Sequence, residues 1–185
     1  DVRLVRQLAE GGFAVVFEGC DARTREKLAV KRIITADDES LALAEHEVAV
    51  HRRLRHAHLV PLLGTERRRR CGGGRDDLEH FVLMPFCERG HLWDVVGART
   101  DAPPLAEALR YVGQVASALA HMHAIPLAHH DLKLENILVR ADGDVALCDF
   151  GSASAETIDP SAASRKERLE LEELIGRYCT PMYRA

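Results

Sequence analysis

The first 34 residues alternate between apolar and polar positions in three short blocks. The blocks lie at residues 4–5, 13–17 and 28–34, and β-branched residues such as Val15 and Ile33 recur in them. A period of two with β-branched side chains is typical of strands that bury one face. The sequence therefore predicts three antiparallel strands, with the first turn at residues 9–12.

Two longer stretches repeat apolar residues at helical spacing. The positions in residues 37–55 are Leu41, Ala44, Val48 and Leu54. Those that follow the paired prolines at 103–104 are Leu105, Leu109, Val112, Ala116, Leu119 and His123. Asp37 begins the first stretch with an acidic turn, and proline is tolerated at the start of the second. We expect two amphipathic helices with these residues facing the core. A capping-box pattern at residues 164–167 predicts a further short helix as far as Gly176.

Residues 59–63 and 78–84 form two more apolar runs, which predict strands. Four consecutive arginines, residues 67–70, lie between them, followed by a glycine-rich segment. Such a run could grip phosphates, but a solvated loop tip is the more common arrangement. No aromatic residue is interleaved for base stacking, and the net charge is −4. We therefore expect no nucleic-acid partner.

Polar residues with catalytic potential flank a short hairpin near the middle of the chain. Apolar runs at 137–139 and 145–147 are separated by a turn rich in Asp and Gly, which predicts two paired strands. Asp131, Lys133 and Asn136 precede the first strand, and Asp149 follows the second. All four should therefore emerge at the same end of the hairpin. Oxygen donors beside a lysine make a plausible site for Mg²⁺ and a phosphate chain.

The length and composition set the broad class. A chain of 185 residues is enough for one domain or part of a larger one. No run approaches the roughly 18 apolar residues of a transmembrane helix. The five cysteines are odd in number and fit no zinc or redox spacing, so we expect reduced thiols in a cytoplasmic protein. The chain starts at Asp1 rather than Met, and membrane association through a lipid anchor on a preceding segment stays open.

The two blocks at 129–136 and 149–151 together resemble the H-R-D-L-x-x-x-N and D-F-G motifs of eukaryotic protein kinases. His130 stands where most kinases have Arg. The resemblance implies an α+β bilobal fold. Residues 1–84 would form an N-lobe of antiparallel sheet with one helix. Residues 85–90 would form a hinge, and 91–185 a truncated, mainly helical C-lobe that ends at the alanine of A-P-E.

The family's glycine-rich loop G-x-G-x-x-G-x-V aligns with Ala9, Gly11, Ala14 and Val16, so that only the middle glycine is kept. By the same resemblance the nucleotide site comprises these four residues with Ala29, Lys31, Met84, Pro85, Cys87, Leu138 and Asp149. Glu47 is the expected ion-pair partner of Lys31, with Glu45 as the alternative.

The resemblance also implies the role of each residue. Lys31 would hold the phosphates of ATP, and Asn136 and Asp149 would bind Mg²⁺. Asp131 would act as the base toward a protein hydroxyl, assisted by Lys133 and Thr180. The competing hypothesis is a nucleotide-binding pseudokinase scaffold, suggested by the alanines in the loop and by His130.

The chain resembles serine/threonine kinases in the motif Asp131-Leu132-Lys133 and in the position of Thr180. Residues 149–154, 84–93 and 180–185 resemble the Numb-associated kinase family, with a lean toward its small, lipid-anchored branch. The partners that this implies are protein substrates, including clathrin-adaptor or secretory-pathway proteins. We expect the chain to be a fragment whose lower lobe continues past Ala185.

Overall fold

The computed structural model describes residues 1–11, 14–70, 78–155 and 164–183. Its contacts divide the chain into two compact units, Asp1–Glu88 and Arg89–Ala185. Each unit is described by itself below. The assignment of residues 85–90 as a hinge stays a prediction.

The first unit is built on a five-stranded antiparallel sheet. Its strands are β1 (Val2–Glu10), β2 (Ala14–Asp21), β3 (Lys27–Thr35), β4 (Gly64–Arg69) and β5 (Leu78–Pro85). Their spatial order is β1-β2-β3-β5-β4, with every neighbouring pair antiparallel. The three predicted N-terminal strands and the strand at 78–84 are confirmed.

The strand predicted at 59–63 is wrong. Leu59 and Val60 are 1% and 2% exposed, but they lie in an irregular segment, and the strand begins only at Gly64. A short apolar run is equally compatible with a strand and with a buried coil, and periodicity alone does not separate them. The loop tip predicted for the arginine run is wrong as well, because Arg67, Arg68 and Arg69 lie on β4, at an edge of the sheet.

Helix α1 (Asp38–Arg53) packs on this sheet. Asp37 caps it, since its side chain accepts from the Ser40 N–H at 2.7 Å, and the Ser40 hydroxyl returns to the cap. Ala44 is buried in a core cluster with Ile33 and Val82. The predicted apolar face is confirmed in part. Ala44 and Leu54 are buried, whereas Leu41 and Val48 are only half-buried.

The described residues of the second unit form three α-helices and a hairpin. The helices are α2 (Leu92–Gly97), α3 (Leu105–Ala124) and α4 (Arg165–Tyr178). The hairpin pairs β6 (Ile137–Val139) with β7 (Val145–Leu147), as predicted. The capping box at the start of α4 is also confirmed, with Ser164 and Glu167 bonded reciprocally at 2.7 and 3.3 Å.

The bounds of α3 match the prediction, but its buried face does not. Leu105, Leu109 and Val112 are 73%, 61% and 66% exposed. The buried residues are instead Tyr111, Ala118 and Met122. Both sets follow a helical period, so the sequence of α3 carries two apolar faces and the spacing could not decide between them.

The predicted α+β class is confirmed by this architecture, with an antiparallel sheet in the first unit and mainly helices in the second. Among the described residues, no helix combines the length and the apolar content that crossing a bilayer requires.

Candidate active site

The hairpin of the second unit places the predicted residues at one end. Ile137 pairs with Leu147, and a hydrogen bond of 2.9 Å from the Cys148 N–H to the Asn136 carbonyl continues the pairing by one step. A 3₁₀ turn at Leu134–Asn136 leads into β6, while Asp149 follows directly after Cys148. Asp149 is exposed and has φ +63°, a left-handed conformation that is costly for a residue with a Cβ.

Asp131 is at the centre of a hydrogen-bond network. Its Oδ1 accepts from the Thr180 hydroxyl at 2.6 Å and from the Thr180 N–H at 3.1 Å. Its Oδ2 lies 2.7 Å from Lys133 Nζ and 3.0 Å from Asn136 Nδ2. Burial disfavours the charged carboxylate, but the bonds from Lys133 and Thr180 outweigh it and hold the pKa of Asp131 below its usual value. The carboxylate is therefore ionised at neutral pH.

Thr180, which follows α4, joins this network. Lys133 Nζ donates a hydrogen bond to Thr180 Oγ1 at 2.8 Å, and the Thr180 hydroxyl in turn donates one to Asp131 Oδ1. Lys133, Thr180 and Asp131 thus form a closed ring of charge-assisted bonds. The structure brings together four of the predicted residues: Asp131, Lys133, Asn136 and Thr180.

His129 belongs to the same site, although it was absent from the predicted set. Its Nδ1 accepts from the Asp131 N–H at 3.3 Å, and its Nε2 lies 3.0 Å from the Cys148 carbonyl. Burial lowers the pKa of His129, so the ring is neutral and Nε2 is the nitrogen that donates. The Phe150 ring packs on it edge to face at 5.7 Å. His129 therefore connects the segment before the hairpin to the segment after it. The available signal was its position as the histidine of the H-R-D-like block.

The donor set at this end fits Mg²⁺. Asn136 donates through Nδ2 to the Asp131 carbonyl at 2.8 Å, which orients its amide and leaves Oδ1 as an acceptor. Asp149 supplies an exposed carboxylate. Mg²⁺ is commonly held by one or two protein oxygens together with substrate phosphates.

A second cluster of predicted residues lies in the first unit. Lys31 Nζ on β3 lies 2.6 Å from Glu47 Oε1 on α1, and their side chains are only 15% and 11% exposed. Glu45, the alternative partner, instead contacts Arg67 at 3.0 Å. The ion pair therefore selects Glu47, the residue that points from α1 into the sheet.

The turn between β1 and β2 holds the loop residues. Ala9 pairs with Val16, and the Gly11 N–H donates to the Ala14 carbonyl at 2.8 Å. A Cβ at Gly11 would meet that carbonyl oxygen at 3.7 Å, an ordinary contact, so the turn itself does not demand glycine. Residues 12 and 13, within the predicted loop, lie outside the described residues.

The sheet register places the other predicted nucleotide residues of this unit. Val16 pairs with Lys31, and Ala29 pairs with Met84. Because strand side chains alternate, the side chains of all four emerge on one face of the sheet. Pro85 ends β5, and the half-buried Cys87 follows it. Leu138, the last of the predicted set, is half-buried on β6 of the second unit.

Several known proteins are similar in sequence to this chain along its whole length. Residues 2–185 match the family described as "Protein kinase domain". The chain is 32% identical to a probable serine/threonine-protein kinase of Dictyostelium discoideum and 35% identical to serine/threonine-protein kinase ppk30 of Schizosaccharomyces pombe, each over 100% of its length. It is 32% identical, again over 100% of its length, to actin-regulating kinase 1 of Saccharomyces cerevisiae.

The matched regions make up 16%, 19% and 30% of these relatives, so the chain spans less than a third of each of them. The match to the family covers nearly every residue of the chain, including both units and all of the site residues described above. The chain therefore belongs to the protein kinase domain family.

Proposed function

We propose that this chain is the nucleotide-binding and catalytic part of a protein serine/threonine kinase, which transfers the γ-phosphate of ATP to a protein hydroxyl. The observation that carries the proposal is the network around Asp131. A half-buried, ionised carboxylate is held in place by Lys133, Asn136 and Thr180. This arrangement suits a group that must orient a hydroxyl beside an anionic phosphate.

Asp131 is the proposed base. The substrate hydroxyl oxygen attacks the γ-phosphorus as the bond to ADP breaks, and the hydroxyl proton passes to the Asp131 carboxylate. A low pKa keeps this carboxylate ionised and ready to accept a hydrogen bond from the hydroxyl. Lys133 would place a positive charge next to the transferred phosphoryl group. Thr180 holds the side chains of Lys133 and Asp131 in position through its hydroxyl.

Lys31 is the proposed contact to the ATP phosphates in the first unit. Its ion pair with Glu47 holds the ammonium group of this otherwise flexible side chain in one position between the sheet and α1. The residues proposed to contact the nucleotide from the first unit are also Ala9, Gly11, Ala14, Val16, Ala29, Met84, Pro85 and Cys87. Those proposed from the second unit are Leu138 and Asp149. Apolar side chains would contact the base, and the backbone of Pro85 and Cys87 would offer it hydrogen bonds.

Asn136 and Asp149 are the proposed ligands of Mg²⁺. When bound, the ion neutralises charge on the phosphates. The part played by the chain is to present an amide oxygen and a carboxylate, with the amide already oriented by its bond to Asp131.

The finer assignment is to the Numb-associated kinase family, supported by residues 84–93, 149–154 and 180–185. On that assignment the kinase is cytoplasmic, and membrane association is a separate property to test. Its substrates would be clathrin-adaptor or secretory-pathway proteins. The name of the yeast relative, actin-regulating kinase 1, adds actin regulators as a second class of substrate to test.

A pseudokinase scaffold is the alternative, favoured by Ala9 and Ala14 at two glycine positions of the loop and by His130. It would bind nucleotide without transferring phosphate. Against it, the residues of direct chemistry are all present.

The test measures transfer of ³²P from Mg-ATP to a mixed protein substrate. Asp131→Asn keeps the shape of the side chain but removes its charge, and should lower the rate about 10²- to 10⁴-fold. Asp101→Asn, in an exposed position, is the matched control and should leave the rate unchanged. Retained transfer in Asp131→Asn would refute the assigned base. Nucleotide binding with no transfer in the unchanged chain would establish the scaffold.

A further inference from the structure

The buried face of α3 carries an amide side chain, that of Gln114. This residue comes three positions after Tyr111 and four before Ala118, both of which are buried. Helical spacing therefore puts the three residues on one face. The helix packs on β7, and the half-buried Gln114 reaches the end of the turn that joins β6 to β7. None of the three residues belongs to the proposed catalytic set.

Both ends of the Gln114 amide bind the hairpin. Its Nε2 donates to Asp144 Oδ1 at 2.7 Å, and its Oε1 accepts from the Val145 N–H at 2.9 Å. A carboxylate only accepts and a backbone N–H only donates, so a single orientation of the amide satisfies both partners. Asp144 directly precedes β7, which begins at Val145. The two bonds are therefore made in one register of the hairpin on the helix.

The turn is closed by its own hydrogen bonds. The Arg140 N–H donates to the Asp144 carbonyl at 2.8 Å, and the Gly143 N–H donates to the Arg140 carbonyl at 3.0 Å. Gly143 has φ +86°, a conformation that glycine adopts without strain. Arg110, one helical turn before Gln114, adds a bond of 2.8 Å from its Nη1 to Asp144 Oδ1. The contacts that α3 makes to Asp144 therefore hold the whole turn in place.

The apolar contacts beneath the turn are less specific. On the hairpin Val145 and Leu147 are 0% exposed, and on α3 Ala118 and Met122 are 0% exposed. Hydrophobic burial is non-directional, so it resists a small displacement of the hairpin along the helix only weakly. Hydrogen bonds are directional and weaken steeply with distance and angle. Polar groups in such an interface can therefore select the one register that satisfies them.

The hairpin is short enough to pass a displacement from the turn to its opposite end. Each strand has three residues and spans about 10 Å. Asn136 directly precedes β6, and the bond of 2.9 Å from the Cys148 N–H to its carbonyl extends the pairing as far as the residue before Asp149. A slip by one residue would move this end by about 3 Å. That exceeds what Mg²⁺ tolerates, since its ligands lie at about 2.0–2.1 Å in a strict geometry.

We propose that Gln114, through Asp144, is a positioning residue that fixes the hairpin on α3 and so sets where the two proposed Mg²⁺ ligands, Asn136 and Asp149, lie. Gln114 acts only through the hairpin and contacts neither substrate nor metal. The effect on Mg²⁺ rests on the proposed function, because the roles of the two ligands are part of it. The link from Gln114 to the far end of the hairpin does not, and it can be measured without activity.

The experiment reverses the bond between Gln114 and Asp144. Gln114→Glu keeps the shape and the acceptor for Val145, but sets two carboxylates against each other at 2.7 Å. Adding Asp144→Asn supplies an amide donor, so the double variant restores the bond with donor and acceptor exchanged. It also puts the new carboxylate four residues after Arg110, a spacing that allows an ion pair. A double-variant cycle of this kind isolates the interaction between the two side chains.

Gln7→Glu is the matched control, because Gln7 Nε2 also donates to a carboxylate, that of Glu10 at 2.8 Å, in an exposed pair of the first unit. Gln114→Ala removes both bonds without adding charge. It provides the same test with no repulsion between carboxylates, and remains informative if Gln114→Glu unfolds the chain.

Hydrogen exchange of the Cys148 amide, which bonds to the Asn136 carbonyl, reports on the far end of the hairpin. Gln114→Glu and Gln114→Ala should speed this exchange about tenfold or more, since a hydrogen bond to a charged group contributes about 1.5–3 kcal/mol. The double variant should return it to within about threefold of the unchanged chain, and Gln7→Glu should not alter it. The link is refuted if exchange at Cys148 is unchanged, if the double variant does not restore it, or if all α3 amides accelerate equally, which would mean global destabilisation.

Binding of Mn²⁺ in the presence of ADP, followed by the electron paramagnetic resonance signal of the free ion, measures the effect on the metal site. Gln114→Glu should weaken binding about tenfold, and the double variant should recover most of it. In the transfer assay the Mg²⁺ concentration for half-maximal rate should rise more than kcat falls. Unchanged Mn²⁺ binding beside faster Cys148 exchange would refute the effect on the ligands. Failure of phosphate transfer in the unchanged chain would count against the kinase activity alone and leave the exchange result intact.

Discussion

At the scale of single residues, Thr180 supplies Asp131 with two hydrogen bonds, one from its hydroxyl at 2.6 Å and one from its backbone at 3.1 Å. Thr180→Val keeps the shape and the backbone bond but removes the hydroxyl that joins Lys133 to Asp131. A hydrogen bond to a charged group contributes about 1.5–3 kcal/mol, so the rate of phosphate transfer should fall about 10- to 100-fold.

Thr180→Ser restores a hydroxyl at the same atom and serves as the control for this prediction. It should retain most of the activity. The role assigned to the hydroxyl is wrong if Val and Ser variants lose activity equally, or if Thr180→Val lowers the melting temperature enough to unfold the chain at the assay temperature.

The residues near Asp131 in sequence could be predicted from spacing alone, but Thr180 could not. Lys133 and Asn136 are within five residues of Asp131, and a short turn must bring them close. Thr180 is 49 residues away, so only a resemblance to a known motif pointed to it. His129 was missed because a neutral buried imidazole that bonds to backbone leaves no pattern of charge along the chain.

At the scale of elements, α3 is anchored by a cluster near its start. Arg99 donates to both oxygens of Glu107 at 2.9 and 2.7 Å, and the Tyr111 hydroxyl donates to the same carboxylate at 2.5 Å. Arg99 first, and then Tyr111, lower the pKa of Glu107 to about 2. Because the folded state binds this proton more weakly than the unfolded chain, the cluster stabilises the fold above the ordinary carboxyl pKa of 4.5.

That stabilisation should be lost as the pH falls from 4.5 toward 2, the pKa of Glu107 in the fold. We expect Glu107→Gln to lower the urea midpoint at pH 7, and the difference from the unchanged chain to shrink as the pH is lowered to about 3. Glu173→Gln, at an exposed position of α4, controls for general loss of a carboxylate. A difference that stayed constant between pH 7 and 3 would contradict the assignment.

Elements with one apolar face or clear capping residues could be predicted closely from sequence. The strand at 59–63 and the buried face of α3 could not, for related reasons. Leu59 and Val60 are buried outside the strands of the sheet, and α3 has apolar residues on two faces. In both cases the hydrophobic pattern indicates which residues are apolar enough to be buried. Tertiary packing then determines which of them are buried and which backbone conformation they adopt.

At the scale of the whole molecule, the first unit has its own core cluster around Ile33, Ala44 and Val82. The second unit buries Phe150, Met122 and Leu147 at 1% exposure or less. It nevertheless leaves part of α3 uncovered. Leu105, Leu109 and Val112 form an exposed apolar stripe, and contiguous apolar surface of this kind promotes association and binds hydrophobic dyes.

We therefore predict that the folded chain binds a hydrophobic dye and self-associates at high concentration. The triple variant Leu105→Gln, Leu109→Gln and Val112→Gln should abolish most of the dye signal while changing the free energy of unfolding little, since surface substitutions usually cost less than about 0.5 kcal/mol each. Met122→Ala, at a residue with 0% exposure, should instead cost about 2–5 kcal/mol by leaving a cavity. Dye fluorescence and urea unfolding measure the two effects separately. If the triple variant is destabilised as strongly as Met122→Ala, the stripe is buried in solution, and the face of α3 predicted from the sequence is the one that packs.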